Sequence, residues 1–247
     1  MKRNMVGAVV VMAAVVAMHA APALAQQRMS PTDRQIQAQV EQRLQKKEID
    51  RVAVGVSEGT VSLSGTVPNA WAKNEAVKQA MKVESVVGVA NNLSVRRAES
   101  DQALANQIAS KVRRYTSYTI FDDVQIAVDQ GVATLSGRVT MPYKADDLGR
   151  IASRVPGVQE VKNEIGALPV SIHDDRLRRS LARQIYRDPL FSTYAFHAYP
   201  PIHIVVENGR VTLAGAVGSE VERVKAEMIA RTTFGVFNVE NRLVVAL

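Results

Sequence analysis

Three stretches of the chain are near copies of one another: GTVSLSGTV at 59–67, GVATLSGRV at 131–139 and GRVTLAGAV at 209–217. Gly59/Gly131/Gly209, Leu63/Leu135/Leu213, Gly65/Gly137/Gly215 and Val67/Val139/Val217 hold the same places in all three. The likeness runs on from Val56 to Asn91, with Val56/Val128/Val206, Ala80/Ala152/Ala230, Val86/Val158/Val236, Val89/Val161/Val239 and Asn91/Asn163/Asn241 recurring under shifts of 72 and then 78 residues. A spacing this long exceeds a solenoid turn, so each copy is read as a small domain. Apart from the asparagines, the repeated residues are glycines and core aliphatics, which serve shape and burial. None is an acid, a base or a nucleophile.

Within a copy, apolar residues alternate on both sides of a turn: Val52, Val54, Val56 before it and Val61, Leu63, Val67 after it, with matching residues in the other copies. Alternation of period two predicts paired strands, and Asn208-Gly209, Glu58-Gly59 and Gln130-Gly131 predict the tight turn. The second glycine sits mid-strand on the apolar face, where it marks a bulge or a helix packed close. Helical periodicity follows over 70–81, 143–154 and 220–232, and a third strand carries the pattern V-x-x-V-x-N-x-[LI]. The asparagines Asn91, Asn163 and Asn241 share parity with the apolar positions, so they are expected to face inward and satisfy backbone groups.

A preceding helix is expected in each copy from the stripes Ile36-Val40-Leu44, Leu104-Ile108-Val112 and Leu177-Leu181-Ile185. Ser30 with Asp33 and Ser171 with Asp174 have cap spacing. The fold class is therefore α+β: three tandem α-β-β-α-β units at 30–97, 99–168 and 171–247, each a three-stranded mixed sheet with two helices on one face. Units this small bury little core, so contact between neighbours is expected.

Ahead of them, Met1-Lys2-Arg3-Asn4, an apolar run from Met5 to Ala21 and Pro22-Ala23-Leu24-Ala25 read as a signal peptide over 1–25, cut after Ala25. Periplasmic export follows. Removing Lys2 and Arg3 lowers the formal charge from +7 to +5, a bias compatible with anionic surfaces but too mild to argue for nucleic acid. Cysteine is absent, which excludes disulfides, thiolate metal sites and acylated-cysteine anchors.

The combination of a signal peptide with α-β-β-α-β units reading G-x-V-x-L-x-G-x-V and then G-V-x-x-V-x-N-x-L resembles the BON domain, named for bacterial osmotic-shock-induced and nodulation proteins. Ser85 stands where Gly157 and Gly235 stand in the other copies, and Ala133 replaces the usual valine. The resemblance implies a non-enzymatic protein of the periplasm or outer membrane that binds phospholipid surfaces or envelope proteins, with a role in envelope integrity or osmotic stress.

The copies differ most between first helix and first strand, a span that lengthens from Leu44–Gly59 through Val112–Gly131 to Ile185–Gly209. The longest version holds Phe191, Tyr194, Phe196 and Tyr199. It reads either as a loop folded over a small core or as an aromatic wedge for lipid or a partner groove. Beside it, Arg176, Arg179, Arg183 and Arg187 form one helical stripe, either a solvated outer face or a row of guanidiniums for phosphate headgroups.

No catalytic or metal residues and no cofactor are expected. His173, His197 and His203 lack ligand spacing, the pairs Asp122-Asp123, Asp146-Asp147 and Asp174-Asp175 read as caps or solvated charge, and no nucleophile elbow, P-loop or dinucleotide fingerprint is present. Partners expected are an anionic phospholipid, contacted peripherally, or an envelope protein such as an outer-membrane or peptidoglycan-associated one. Neither nucleic acid nor a small-molecule substrate is expected.

Overall fold

The computed structural model describes residues 30–96 and 99–246; the leader expected over 1–25 lies outside them. Copy 1 comprises α1 (Pro31–Gln45), β1 (Val52–Ser57), β2 (Thr60–Val67), α2 (Ala70–Ala80) and β3 (Gly88–Val95). Copy 2 repeats the order as α3 (Asp101–Arg113), β4 (Asp123–Asp129), β5 (Val132–Val139), α4 (Pro142–Ser153) and β6 (Glu160–Ala167). Copy 3 has α5 (Ile172–Arg187), a short 3-10 turn at Tyr194–Phe196, β7 (Ile202–Glu207), β8 (Arg210–Val217) and α6 (Glu220–Thr232). Its third strand is split into β9 (Asn238–Asn241) and β10 (Val244–Val245).

In every copy the second strand is central, antiparallel to the first and parallel to the third. The parallel pairing demands a crossover, and the second helix provides it. Side chains of the central strand alternate: Val61, Leu63 and Val67 are buried beneath both helices, while Ser64 and Thr66 on the opposite face are exposed. The three predicted stripes line the cores as expected, and none of their nine residues is more than 5% exposed.

Each hairpin turns on two residues of positive φ, Glu58-Gly59, Gln130-Gly131 and Asn208-Gly209, the type I′ geometry that favours glycine second. The mid-strand glycines also have positive φ. A Cβ there would overlap the carbonyl oxygen of Arg51, Asp123 or Pro201, at or just ahead of the start of the first strand. The close neighbour is thus a strand's own lead-in rather than a helix.

One device holds each hairpin to its first helix. Asp33 Oδ1 accepts the N–H of Gly59 (3.0 Å), Asp101 accepts those of Gln130 (2.9 Å) and Gly131 (2.8 Å), and Asp174 accepts those of Asn208 (2.8 Å) and Gly209 (2.9 Å). Ser30 and Ser171 do cap their helices. The aspartates three residues on reach across to the turn.

The reading of Asp122 and Asp174 as caps or solvated charge is corrected by burial, since both are fully buried. Asp122 accepts from the N–H and hydroxyl of Thr119, the N–H and hydroxyl of Thr140, and Lys144 Nζ at 2.7 Å. A buried carboxylate demands partners in this number.

Neighbouring copies touch through two different junctions. Copy 1 caps copy 2: Ala70 donates to the Val158 carbonyl (2.8 Å), Gly157 donates to that of Pro68 (2.9 Å), and Ala70 itself is buried in the core of copy 2. The Asn69 amide donates to the Arg154 carbonyl, and the Arg154 guanidinium lies 4.8 Å above the Trp71 ring. Between copies 2 and 3 the N–H of Ile204 donates to the Ile120 carbonyl (2.6 Å), His203 Nδ1 meets the Asp122 carbonyl (2.5 Å), and Arg138 pairs with Glu207 (3.3 Å).

Candidate functional site

Helix α5 is amphipathic by construction. Leu177, Leu181 and Ile185 anchor it to copy 3, and Ser171 accepts the Asp174 N–H at its start. Arg178, which sequence reasoning passed over, is 5% exposed; it donates to the Val206 carbonyl (2.6 Å) and pairs with Asp175 (2.5 Å). It is therefore an internal strut, distinguishable from its neighbours only by its position on the helix's inner side.

The other four arginines stand on the outer face. Arg176, Arg179, Arg183 and Arg187 are all exposed, and among the described residues none forms an ion pair or hydrogen bond through its side chain. At 100° per residue they fall in one narrow stripe, about 16 Å long over eleven residues. Other arginines are engaged in ion pairs, Arg150 with Asp147, Arg223 with Glu220, Arg231 with Glu227 and Arg242 with Glu240, so what sets this helix apart is the alignment of four exposed guanidiniums along one face.

The aromatic loop divides. Phe191 is fully buried in the core of copy 3 and is corrected from a surface contact to a core residue, because the small unit needs a large side chain to fill the space beside Leu181 and Ile202. Tyr194 packs against the same core, donates its hydroxyl to Glu222 (2.5 Å) and accepts from the Gly218 N–H (2.9 Å). Burial, with Glu222 beside it, pushes this phenol up; burial also raises that of Tyr186, which donates to the Ile202 carbonyl (2.6 Å). Phe196, 88% exposed, and Tyr199, 53% exposed, remain at the surface. The loop is thus a core cover that presents two aromatic rings.

The repeated asparagines are structural. Asn163 and Asn241 donate to the carbonyls of Ala145 and Arg223, tying the third strand to the second helix, and the side-chain oxygens of all three accept the N–H two residues on. The expectation that they face inward is corrected: Asn91 and Asn163 are exposed and Asn241 is half-buried, because they sit at the sheet edge, and among the described residues Asn91 bonds only its own strand. The repeat glycines Gly59, Gly65, Gly131, Gly137, Gly209 and Gly215 lie at the turns and close approaches described above.

A groove of about 660 Å³ opens between copies 2 and 3, lined by Asp123, Arg138, Glu207, Arg210, Glu240 and Arg242. Its charges are largely paired with one another. Among the described residues no group of three or more His, Asp or Glu is placed to hold a metal ion, and no helix is long and apolar enough to cross a membrane.

The BON domain model matches three times, at 32–97, 100–168 and 173–246. The chain belongs to the BON domain family. A curated relative is osmotically-inducible protein Y of Escherichia coli (strain K12), 32% identical over 128 residues. That match covers 46% of this chain and 60% of the relative, so the chain spans about three fifths of its length. Among solved structures, the C-terminal domain of CdsD, the structural protein of the type III secretion system of Chlamydia trachomatis, is 16% identical. The match covers 85% of this chain and 96% of that one, at a TM-score of 0.26. The PrgH periplasmic domain is 13% identical with coverages of 82% and 99% and a TM-score of 0.24. Likeness at that level bears on neither fold nor function.

Proposed function

We propose that this BON protein is a non-enzymatic component of the periplasm that contacts anionic phospholipid surfaces through the outer face of α5, supporting the envelope under osmotic stress. The observation that carries the reading is the stripe of four exposed guanidiniums without partners, on a helix whose other face is locked into the core. Guanidinium forks match phosphate oxygens in pairs. The kinship with an osmotically inducible protein supports the stress role.

Each arginine near an anionic membrane contributes about 1 kcal/mol, so four contribute about 4 kcal/mol, roughly a thousandfold in partitioning. Co-sedimentation with anionic and neutral vesicles tests this. The wild type is expected to bind anionic vesicles and to be released by salt, and the variant with Arg176, Arg179, Arg183 and Arg187 changed to Glu is expected not to bind. Unchanged binding by that variant rejects the assignment.

The exposure of Phe196 and Tyr199 favours a second reading, docking of an envelope protein on the aromatic loop. Such binding would tolerate salt and be lost on Phe196→Ser.

A further inference from the structure

The junction between copies 1 and 2 has two halves. The donor is the segment 68–71 before α2; the acceptor is the loop after α4, where Gly157 N–H and the Val158 carbonyl exchange bonds with it. By the repeat shift of 78, the acceptor's counterpart in copy 3 is 232–237. There Gly235 and Val236 receive no such bonds, and the flanking Phe234 and Phe237 are 98% and 80% exposed. By the shift of 72, the donor's counterpart in copy 2 is 140–143, with Met141 49% and Tyr143 52% exposed. Met141 holds the N-cap of α4 but makes no side-chain cap bond, whereas Asn69 and Ser219 at the same place do. An apolar residue thus stands in solvent where a polar one would cap the helix.

The other halves of this kind do not fit. The copy 1 acceptor sets the charged Glu84 and the polar Ser85 beside an exposed Val87, and the copy 3 donor sets Ser219 and a Glu220 paired to Arg223 beside an exposed Val221. Only the copy 2 donor and the copy 3 acceptor each present two large exposed apolar residues. Copies 2 and 3 of one molecule are joined through Ile120–Ile204 and Asp122–His203, which leaves both halves uncovered.

We propose that the Phe234–Phe237 loop docks the Thr140–Tyr143 segment of a second copy of this chain, joining molecules head to tail. Gly235 donates to the Thr140 carbonyl, as Gly157 does to that of Pro68, while Met141 and Tyr143 pack against the two phenylalanines. Pro142 has no N–H to offer Val236, so the contact is weaker than its internal model and depends on concentration. Because donor and acceptor are different surfaces, the association is heterologous and propagates.

Sedimentation velocity on the full mature chain, from micromolar to millimolar loading, tests it. The wild type is expected to gain mass with concentration. The acceptor variant Phe234→Glu/Phe237→Glu and the donor variant Met141→Asp/Tyr143→Asp should each associate about tenfold or more weakly, with unchanged circular dichroism because all four residues are exposed. Mixing the two variants should restore one contact per pair and stop at a heterodimer. A wild type that stays monomeric throughout overturns the proposal. So does an acceptor variant that self-associates like wild type, including one that instead loses binding to anionic vesicles, which would give the loop to lipid.

Discussion

Removing the carboxylate of Asp174 should loosen copy 3 more than the equivalent change loosens either other copy. Asp174 is fully buried and accepts two backbone N–H groups, those of Asn208 and Gly209, of which the second is itself buried. Hydrogen bonds to a charged acceptor contribute about 1.5–3 kcal/mol each, so losing two through Asp174→Ala is expected to cost copy 3 about 3–6 kcal/mol. A unit of this size is stable by only about 4–10 kcal/mol in total. Asp101 accepts two such bonds but at a half-buried site where water can replace it, and Asp33, though buried, accepts only one. The ranking is therefore Asp174, then Asp101, then Asp33. Native-state hydrogen exchange read by peptide mass spectrometry reports each hairpin separately within the intact chain. Asp174→Ala should speed exchange across 202–217 by about a hundredfold or more while 52–67 is unchanged, and Asp174→Asn, which keeps one oxygen, should fall between. If Asp101→Ala releases its hairpin as much as Asp174→Ala releases its own, burial is not what sets the strength of the latch and the reasoning fails.

Other outcomes follow from the same geometry. Lys144→Met leaves Asp122 buried without its cation and should destabilise copy 2 by about 3 kcal/mol, seen in urea titration; restoration by adding Asp122→Asn is the check. Gly215→Ala forces a side chain into positive φ against the Pro201 carbonyl and should cost about 2 kcal/mol or more, whereas Gly88→Ala, with open space around it, should be nearly silent. Acid should weaken the fold: the Gly59 N–H holds Asp33 below its usual 3.8, and Arg223, Asn241 with Arg231, and Arg242 hold Glu220, Glu227 and Glu240 below 4.5. Depressed native values mean that this stability is present above those pH values and is lost as pH falls through the native ones, so urea midpoints should be level near neutrality and drop below about pH 4.5; a midpoint that rises there contradicts the sign.

The strands, helices and turns were legible because each is written in local periodicity: alternation for Val61-Leu63-Val67, i, i+4 spacing for Leu177-Leu181-Ile185, and a glycine after each positive-φ turn residue. What escaped depended on partners far along the chain. Asp174 meets a turn 34 residues away, and its S-x-x-D spacing with Ser171 supplied a sufficient local explanation that hid the longer contact. Asp122 beside Asp123 reads as surface charge until the fold brings Thr119, Thr140 and Lys144 around it. Within the candidate site the arginine stripe was legible as an outer face, but composition could not divide the loop, since Phe191 and Phe196 are the same residue type and only the space beside Leu181 selects which turns inward.

The two junctions show how identical frames come to be joined differently. Ala70 can enter the neighbouring core and still donate its N–H, because alanine is small and keeps the donor; its counterpart Pro142 has no donor, and the counterpart of Asn69, whose amide bonds Arg154, is Met141. Two of the polar contacts that seat copy 1 on copy 2 are therefore missing in advance from copy 2's side of a junction with copy 3. Copy 3 attaches instead along the edge of β7, where the long span after α3 brings the Ile120 carbonyl to the N–H of Ile204. That choice leaves the outer face of α5 and the Phe234–Phe237 loop uncovered. The repeated residues serve shape, so the proposed contacts fall on positions where the copies differ, and Arg176, Arg179, Arg183, Arg187, Phe234 and Phe237 all stand in solvent.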